Sequence, residues 1–392
     1  MENGIMKICY LAEINNVHSQ RWIKYFAGSG HEILVLSDSL PEKTIPCVKI
    51  VRPEMNLLTK ILAFKIHPKP YGYYSFKWIP YRKEVAQFNP DIVHAMEALS
   101  NGLTLALCGN YPKILTPWGN DIFHDPFQSR IAHFLVKSGL KAASVVSTNH
   151  PTLGDYLDRT FNIPKEKVQC FSWGIDLKIF HPHKQREAGE MRKYLKIPEQ
   201  APVVMSNRSL SEYWGTREII SAIPPVIKEV PDTHFIIIRG SGKERFYQEM
   251  VSYVESHGAG KNVRFINEII SPEKMSALLN LSDIFISVPY TDLLSISVLE
   301  GLACGAIPVV SNIEAYKSRI QEGKNGFYVP IKNPAAIAEK VIYILNNLTM
   351  RNKIREKNWD IIQKNDDWEK CRPQMVSVYE KALELYKKTR KG

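Results

Sequence analysis

Length for crossing a membrane is the first thing missing. The 392-residue chain has no run of 18 or more apolar residues, so no membrane-spanning helix is expected. No basic stretch followed by a long apolar core opens the chain. MENGIMKICYLAEI reads instead as a short tail leading into a strand, Lys7 to Leu11. Cysteine is sparse: Cys9, Cys47, Cys108, Cys170, Cys304 and Cys371 are scattered, with no C-x-x-C pair and no histidine cluster. That argues for reduced thiols in a cytoplasmic protein and against a structural metal site. Internal repeats and low-complexity linkers are also missing. Acidic residues are in deficit, 40 against 51 Lys and Arg, giving a formal net charge of +11. Such a charge admits nucleic acid, but the basic residues are not gathered in a recognisable nucleic-acid motif, so no nucleic-acid partner is expected.

What is present suits a soluble globular protein, with 44% hydrophobic and 23% charged residues, long enough for two domains. Short apolar runs at Lys7–Leu11, Ile33–Leu36, Asp91–Ala95, Lys113–Thr116, Ala143–Ser147 and Val168–Phe171 read as strands. Amphipathic stretches between them, Arg21–Ala27, Asn101–Leu107, Ile131–Leu140 and Pro151–Arg159, read as helices. The second half repeats the alternation, with strands at Val203–Ser206, His234–Ile238, Val263–Ile266, Ile284–Val288 and Ile307–Val310. Ser271-Pro272 and Asn333-Pro334 each set a capping side chain before a proline at the first helical position. The class is therefore α/β: two Rossmann-like halves, each a parallel sheet covered on both faces, joined near residues 173–182.

One stretch concentrates the chemistry, DIFISVPYTDLLSISVLEGLACGAIPVVSN from Asp283 to Asn312. It reads as strand, loop, helix and strand, and ligands sit at the carboxyl ends of such strands. Backbone N–H groups of Ser295, Ile296 and Ser297 at the helix start suit a phosphate. Glu300, one turn in, can accept two hydrogen bonds from a ribose diol, and Asp292 can reach the group beyond the phosphates. Arg208, in VVMSNRSLSEYWGTREII, is on its own either a surface ion pair or a fork that suits a diphosphate. In the first half, His18 lies in a polar loop, where it either donates to a phosphate or caps the following helix. His94, at a strand end, faces either a substrate or only structural partners. Trp118 can stack on a sugar and Asp121 can accept a sugar hydroxyl, or either can be scaffold.

Residues 49–83 form a basic, aromatic run. Lys49, Arg52, Lys60, Lys65, Lys69, Lys77, Arg82 and Lys83 stand against a lone Glu54, interleaved with Phe64, Tyr71, Tyr73, Tyr74, Phe76, Trp78 and Tyr81. Leu57, Leu58, Ile61 and Leu62 share a face if the segment is helical. The combination suits an anionic membrane surface, or a solvated basic face over an ordinary core.

Asp292-x7-Glu300 resembles the E-x7-E segment of the family 4 retaining glycosyltransferases (glycosyl transferases group 1), with Asp in place of the first Glu. Trp173-Gly174-Ile175-Asp176 with Phe180-x-Pro182 resembles that family's hinge, Asp91-Ile92-Val93-His94-Ala95 a strand end of its first domain, and Gly240-Ser241-Gly242 its glycine turn. The resemblance implies the GT-B fold, two Rossmann-like domains facing each other across a cleft. Residues 1–177 would bind the acceptor, 178–367 the donor, and a helix within 368–392 would cross back to the first domain.

It also implies a nucleotide-sugar donor, a glycan or lipid-linked acceptor, and transfer with retention. No cofactor and no metal are expected, there being no Asp-x-Asp motif near the site. The expected catalytic group is Arg208, Asp292, His94 and Asp121. The expected donor-binding set is Arg208, Lys243, Asp292, Ser295, Ile296, Ser297, Glu300 and His18. Departures stand beside the matches. Trp118 replaces a family His, the early glycine pair is missing, and Trp214 replaces a family Lys, for which Arg217, Arg239 or Lys243 could substitute. The departures at Asp292, Trp118 and Trp214 leave room for a rival reading, a nucleotide-sugar-binding partner or regulatory subunit without turnover.

Overall fold

The computed structural model describes residues 4–67, 70–268 and 270–391. The chain divides into two compact units, Met1–Phe171 with Pro373–Gly392, and Ser172–Arg372. Among the described residues the first unit holds seven strands: β1 (Lys7–Leu11), β2 (Glu32–Leu36), β3 (Val48–Val51), β4 (Ile92–Met96), β5 (Lys113–Thr116), β6 (Val145–Thr148) and β7 (Val168–Cys170). They are ordered β3-β2-β1-β4-β5-β6-β7, every neighbouring pair parallel. The second holds β8 (Val203–Ser206), β9 (His234–Ile238), β10 (Val263–Ile266), β11 (Ile284–Ser287), β12 (Ile307–Ser311) and β13 (Phe327–Val329), ordered β10-β9-β8-β11-β12-β13 and again parallel.

Continuous apolar runs make these strands because both faces are covered: β4, β5, β8, β9, β11 and β12 are buried along their whole length. In each sheet the strand order reverses once, between β1 and β4 and between β8 and β11, which opens a crevice at the strands' carboxyl ends. The proline-led helices start where their caps predict: Ser271 accepts from the Lys274 N–H and Asn333 from the Ala336 N–H.

The helix Pro373–Lys391 belongs to the first unit, where Met375, Val378, Tyr379 and Ala382 are buried. The Tyr379 hydroxyl sits 2.8 Å from that of Tyr10 and 2.7 Å from Nδ1 of His94, whose Nε2 lies 2.7 Å from the Thr116 hydroxyl. This corrects the expectation that His94 works on a substrate. It is fully buried two residues before the end of β4, with both ring nitrogens engaged. Burial pushes its pKa down to about 3.

The unfolded chain therefore takes a proton at His94 as pH falls below about 6.5 while the folded chain refuses it. That contribution to stability is full above the unfolded value and is lost as pH drops towards 3. The predicted slope is up to about 1.4 kcal/mol per pH unit in that window. Denaturant melts between pH 4 and 7 should show it in the wild type and a flatter profile in His94→Gln; equal slopes would refute it.

Candidate functional site

In the second unit the chain leaves β8 through Asn207 and Arg208, and leaves β11 through the loop 288–294 to reach Ser295, N-cap of the helix Ile296–Ala303. Because β8 and β11 are neighbours at the reversal of the sheet, their carboxyl-end loops meet. Arg208 donates through Nη1 to the hydroxyls of Ser295 and Ser297, the latter at 3.0 Å, and its Nη1 lies 3.2 Å from Oδ2 of Asp292. The guanidinium and the helix start are thus close enough to address one diphosphate. No side chain caps the helix, the Ser295 hydroxyl being turned to Arg208 and Ser297. Its first N–H groups and positive end therefore suit an anion. Ile296 opens the helix and Glu300 sits half-buried one turn later.

Asp292 is 7% exposed and occupied on both oxygens. Oδ1 accepts from the Leu293 N–H at 2.9 Å, and Oδ2 accepts from the Tyr316 hydroxyl at 2.9 Å besides facing Arg208. Burial raises its pKa, opposed by the Arg208 charge and the Tyr316 hydroxyl. The reach to a donor sugar expected of Asp292 is spent here on holding Arg208.

Sequence reasoning missed three members of this site. Asn207 donates to the Ser297 carbonyl at 2.7 Å, and its buried Oδ1 has no hydrogen-bond partner. Tyr316 comes from beyond β12. Trp214 was read only as a lost lysine, yet the Arg208 Cζ lies 3.6 Å from the centroid of its ring. The turn that carries Trp214 is fixed from both sides. The Tyr213 hydroxyl meets the Thr291 carbonyl and hydroxyl at 3.0 and 2.7 Å. Gly215 has φ +66°, and a Cβ there would stand 2.3 Å from the Val288 carbonyl oxygen. Of the proposed substitutes for the lysine, Arg217 is paired with Glu212 and Glu249, and Arg239 with Glu244. Lys243 is exposed at the start of the helix Glu244–Ser256, one residue after the glycine turn that packs on Ser209 and Leu210.

The first unit separates its candidates. Asp121 is scaffold, which corrects its expected role with a sugar. It is 2% exposed, and Oδ1 accepts from the N–H groups of Trp118 and Gly119 at 2.9 and 2.8 Å while Oδ2 accepts from Ala98 at 2.5 Å. Burial and the nearby Glu97 lift its pKa to about 7. Glu97, unremarked in the sequence, has φ +74° and caps the helix Ala98–Leu107 through the N–H groups of Leu99 and Ser100. His18 lies in the first turn of the helix Val17–Gly28, capped by Asn16 rather than by the histidine, and its ring is 6.3 Å from that of Trp118.

Residues 49–83 split. Lys77 is buried, 2.8 Å from Asp38, with the rings of Tyr73, Tyr74 and Tyr81 around it, so it cannot serve an outer surface. Burial pushes the Asp38 carboxyl up, but Lys77 and the hydroxyls of Tyr81 and Tyr73 hold it below the usual range. The helix Leu57–Ile66 behaves differently, with Leu57, Leu58, Ile61, Leu62 and Phe64 exposed beside exposed Lys60 and Lys65. Lys69 lies outside the described residues. Among the described residues no helix is long and apolar enough to cross a membrane.

Comparison with known proteins agrees with this layout. The model of the family "Glycosyl transferases group 1" matches residues 187–359, and that of "Glycosyl transferase 4-like" matches residues 7–150. Spore coat protein SA of Bacillus subtilis is 29% identical over 59% of this chain, which spans 64% of that protein's length. N-acetyl-alpha-D-glucosaminyl L-malate synthase of Bacillus anthracis is 21% identical over 91% of each chain. The crystal structure of HepE from Anabaena in complex with UDP and glucose superimposes with a TM-score of 0.75 at 15% identity, covering 96% of this chain and 99% of that one. With both units matched in order and both sheets of the expected kind, the chain belongs to the group 1, family 4-like glycosyltransferases of the GT-B fold.

Proposed function

We propose that this protein moves a sugar from a nucleoside-diphosphate sugar to a hydroxyl of a glycan or lipid-linked acceptor, with retention at the anomeric carbon. The observation that carries the donor half is Arg208 held at the N-terminus of the helix Ile296–Ala303. Charge builds on the diphosphate as the glycosidic bond breaks, and donors already aimed at it lower the barrier without reorganising. Arg208 and the helix dipole supply that positive potential in the protein itself, so the reading assigns no role to a metal ion. Glu300 takes the ribose. HepE, whose structure carries UDP and glucose, supports a nucleotide-sugar donor as a relative in fold.

Retention goes by the front face in this reading, the departing phosphate oxygen taking the acceptor proton. Double displacement needs a carboxylate nucleophile under the anomeric carbon. Asp292 is committed to Arg208 and Tyr316, and Asp121 to three backbone N–H groups, which leaves neither placed for that task. The first unit carries the acceptor. The exposed apolar face of Leu57–Ile66, flanked by Lys60 and Lys65, lies on an anionic membrane where a lipid-linked acceptor is found, so the protein works as a peripheral one on the cytoplasmic side.

Incubation with a panel of nucleotide-sugars should release a nucleoside diphosphate slowly without acceptor, and Arg208→Ala should cut that release roughly a hundredfold or more. Glu300→Ala should chiefly raise KM for the donor. Binding of nucleotide-sugar with no release under any acceptor mixture would favour the non-catalytic rival. For the membrane, co-sedimentation with anionic vesicles should fall with added salt and in Lys60→Glu/Lys65→Glu, and also in Leu58→Ser/Leu62→Ser. Binding indifferent to both pairs would reject that surface.

A further inference from the structure

An aromatic ring stands where the second phosphate cation of the family would be, and its place in the structure gives it a different task. The Arg208 Cζ is 3.6 Å from the Trp214 ring centroid, so one face of the guanidinium is in van der Waals contact with the indole. No ligand or water fits between them. All three polar contacts of the guanidinium, to Ser295, Ser297 and Asp292, use Nη1. Its Nε–Nη2 edge is therefore the one a phosphate can fork. Two cations side by side would repel each other in the empty site; a ring face attracts the cation it positions. The ring is itself fixed, because Tyr213 is bonded to Thr291 and Gly215 fits tightly against Val288.

We infer that Trp214 is a positioning residue for donor binding: its ring holds the plane of Arg208, and with it the Nε–Nη2 edge, in one orientation while Nη1 stays on the helix start. This rests on the donor reading above. It gives Trp214 no contact with the reacting atoms; the residue acts through Arg208 alone.

The test is a double-mutant cycle on the full chain, reading the Kd of UDP, GDP and ADP by calorimetry. Trp214→Leu should weaken the best-bound diphosphate about tenfold, and Trp214→Phe, which keeps a ring face, should weaken it less than about threefold. In an Arg208→Ala background the Trp214→Leu change should have no further effect, since the group it positions is gone. Trp214→Lys should make binding steeper in salt, by adding a charge, while lowering turnover through the lost orientation. A Trp214→Leu effect of equal size with and without Arg208 would mark the ring as mere support for the fold and overturn the inference. Unchanged affinity in Trp214→Leu would overturn it as well. In both cases diphosphate binding by the wild type would leave the donor reading standing. A wild type that binds none of the three diphosphates would overturn both.

Discussion

The second unit is arranged around one nearly buried cation. Arg208 is 12% exposed and Asp292 7%, so both charges have left water. Such a pair costs desolvation free energy that its mutual attraction repays only when the remaining hydrogen-bonding groups are satisfied. Here many are satisfied: Ser295 and Ser297 accept from Nη1 of the arginine, Tyr316 and the Leu293 N–H donate to the aspartate, and Trp214 covers a guanidinium face, which leaves the Nε–Nη2 edge for a ligand. A well-packed apolar cluster in the same place would serve stability as well or better. What the ionic arrangement supplies instead is a cation already in position beside a helix N-terminus. The adjacency of β8 and β11 makes this possible, since only at the reversal of strand order do two such loops stand side by side.

The first unit reverses between β1 and β4 in the same way but fills its carboxyl-end loops with a different chemistry. Carboxylates stand there, Asp38, Glu97 and Asp121, and Asp38 is met by Tyr73 and Tyr81 from the helices Tyr71–Phe76 and Trp78–Phe88. Burial and neighbouring acids push the Tyr74 hydroxyl up to about 12 and keep it a neutral donor. Lys77 offsets Asp38 from inside.

Most strands were legible because a strand buried on both faces must be continuously apolar, a pattern that survives without knowledge of its neighbours. β3 was not, since its residues are half-exposed and sit in the basic run, and β13 was not read either. The helix start at Ser295 and the place of Arg208 after β8 were legible because both are local: a helix that follows a strand and loop, and a residue at a strand end. His94 and Asp121 were misread for the converse reason. Position near a strand end is visible in sequence, but the partners that consume the side chain are not. His94 is claimed by Tyr379, which arrives 285 residues later, and Asp121 by the N–H groups of its own turn. Trp214 looked like a subtraction because a one-dimensional match records which residue is missing. Only the fold shows the ring lying flat on the arginine it serves.

The net charge of +11 needs a separate account, because the proposed donor site around Arg208 does not use it. Arg208 faces Asp292, Arg217 is shared by two glutamates, and Arg239 is matched by Glu244, so the basic residues near the phosphate turn are nearly all neutralised in place. Screening confines exposed charge to about 8–10 Å at physiological salt, too short for distant lysines to aid a bound donor. Excess charge acts at long range only against an extended partner of opposite sign. Arg52, Lys60, Lys65, Arg82 and Lys83 are exposed, and the helix that carries Lys60 and Lys65 also presents five apolar side chains to solvent. For a solvated basic face, those leucines, the isoleucine and Phe64 would be a liability with no return. Against an anionic bilayer the two features act together, the lysines drawing the helix in and the apolar face holding it. The proposed membrane role accounts for charge and exposure at once, whereas solvation accounts only for the charge.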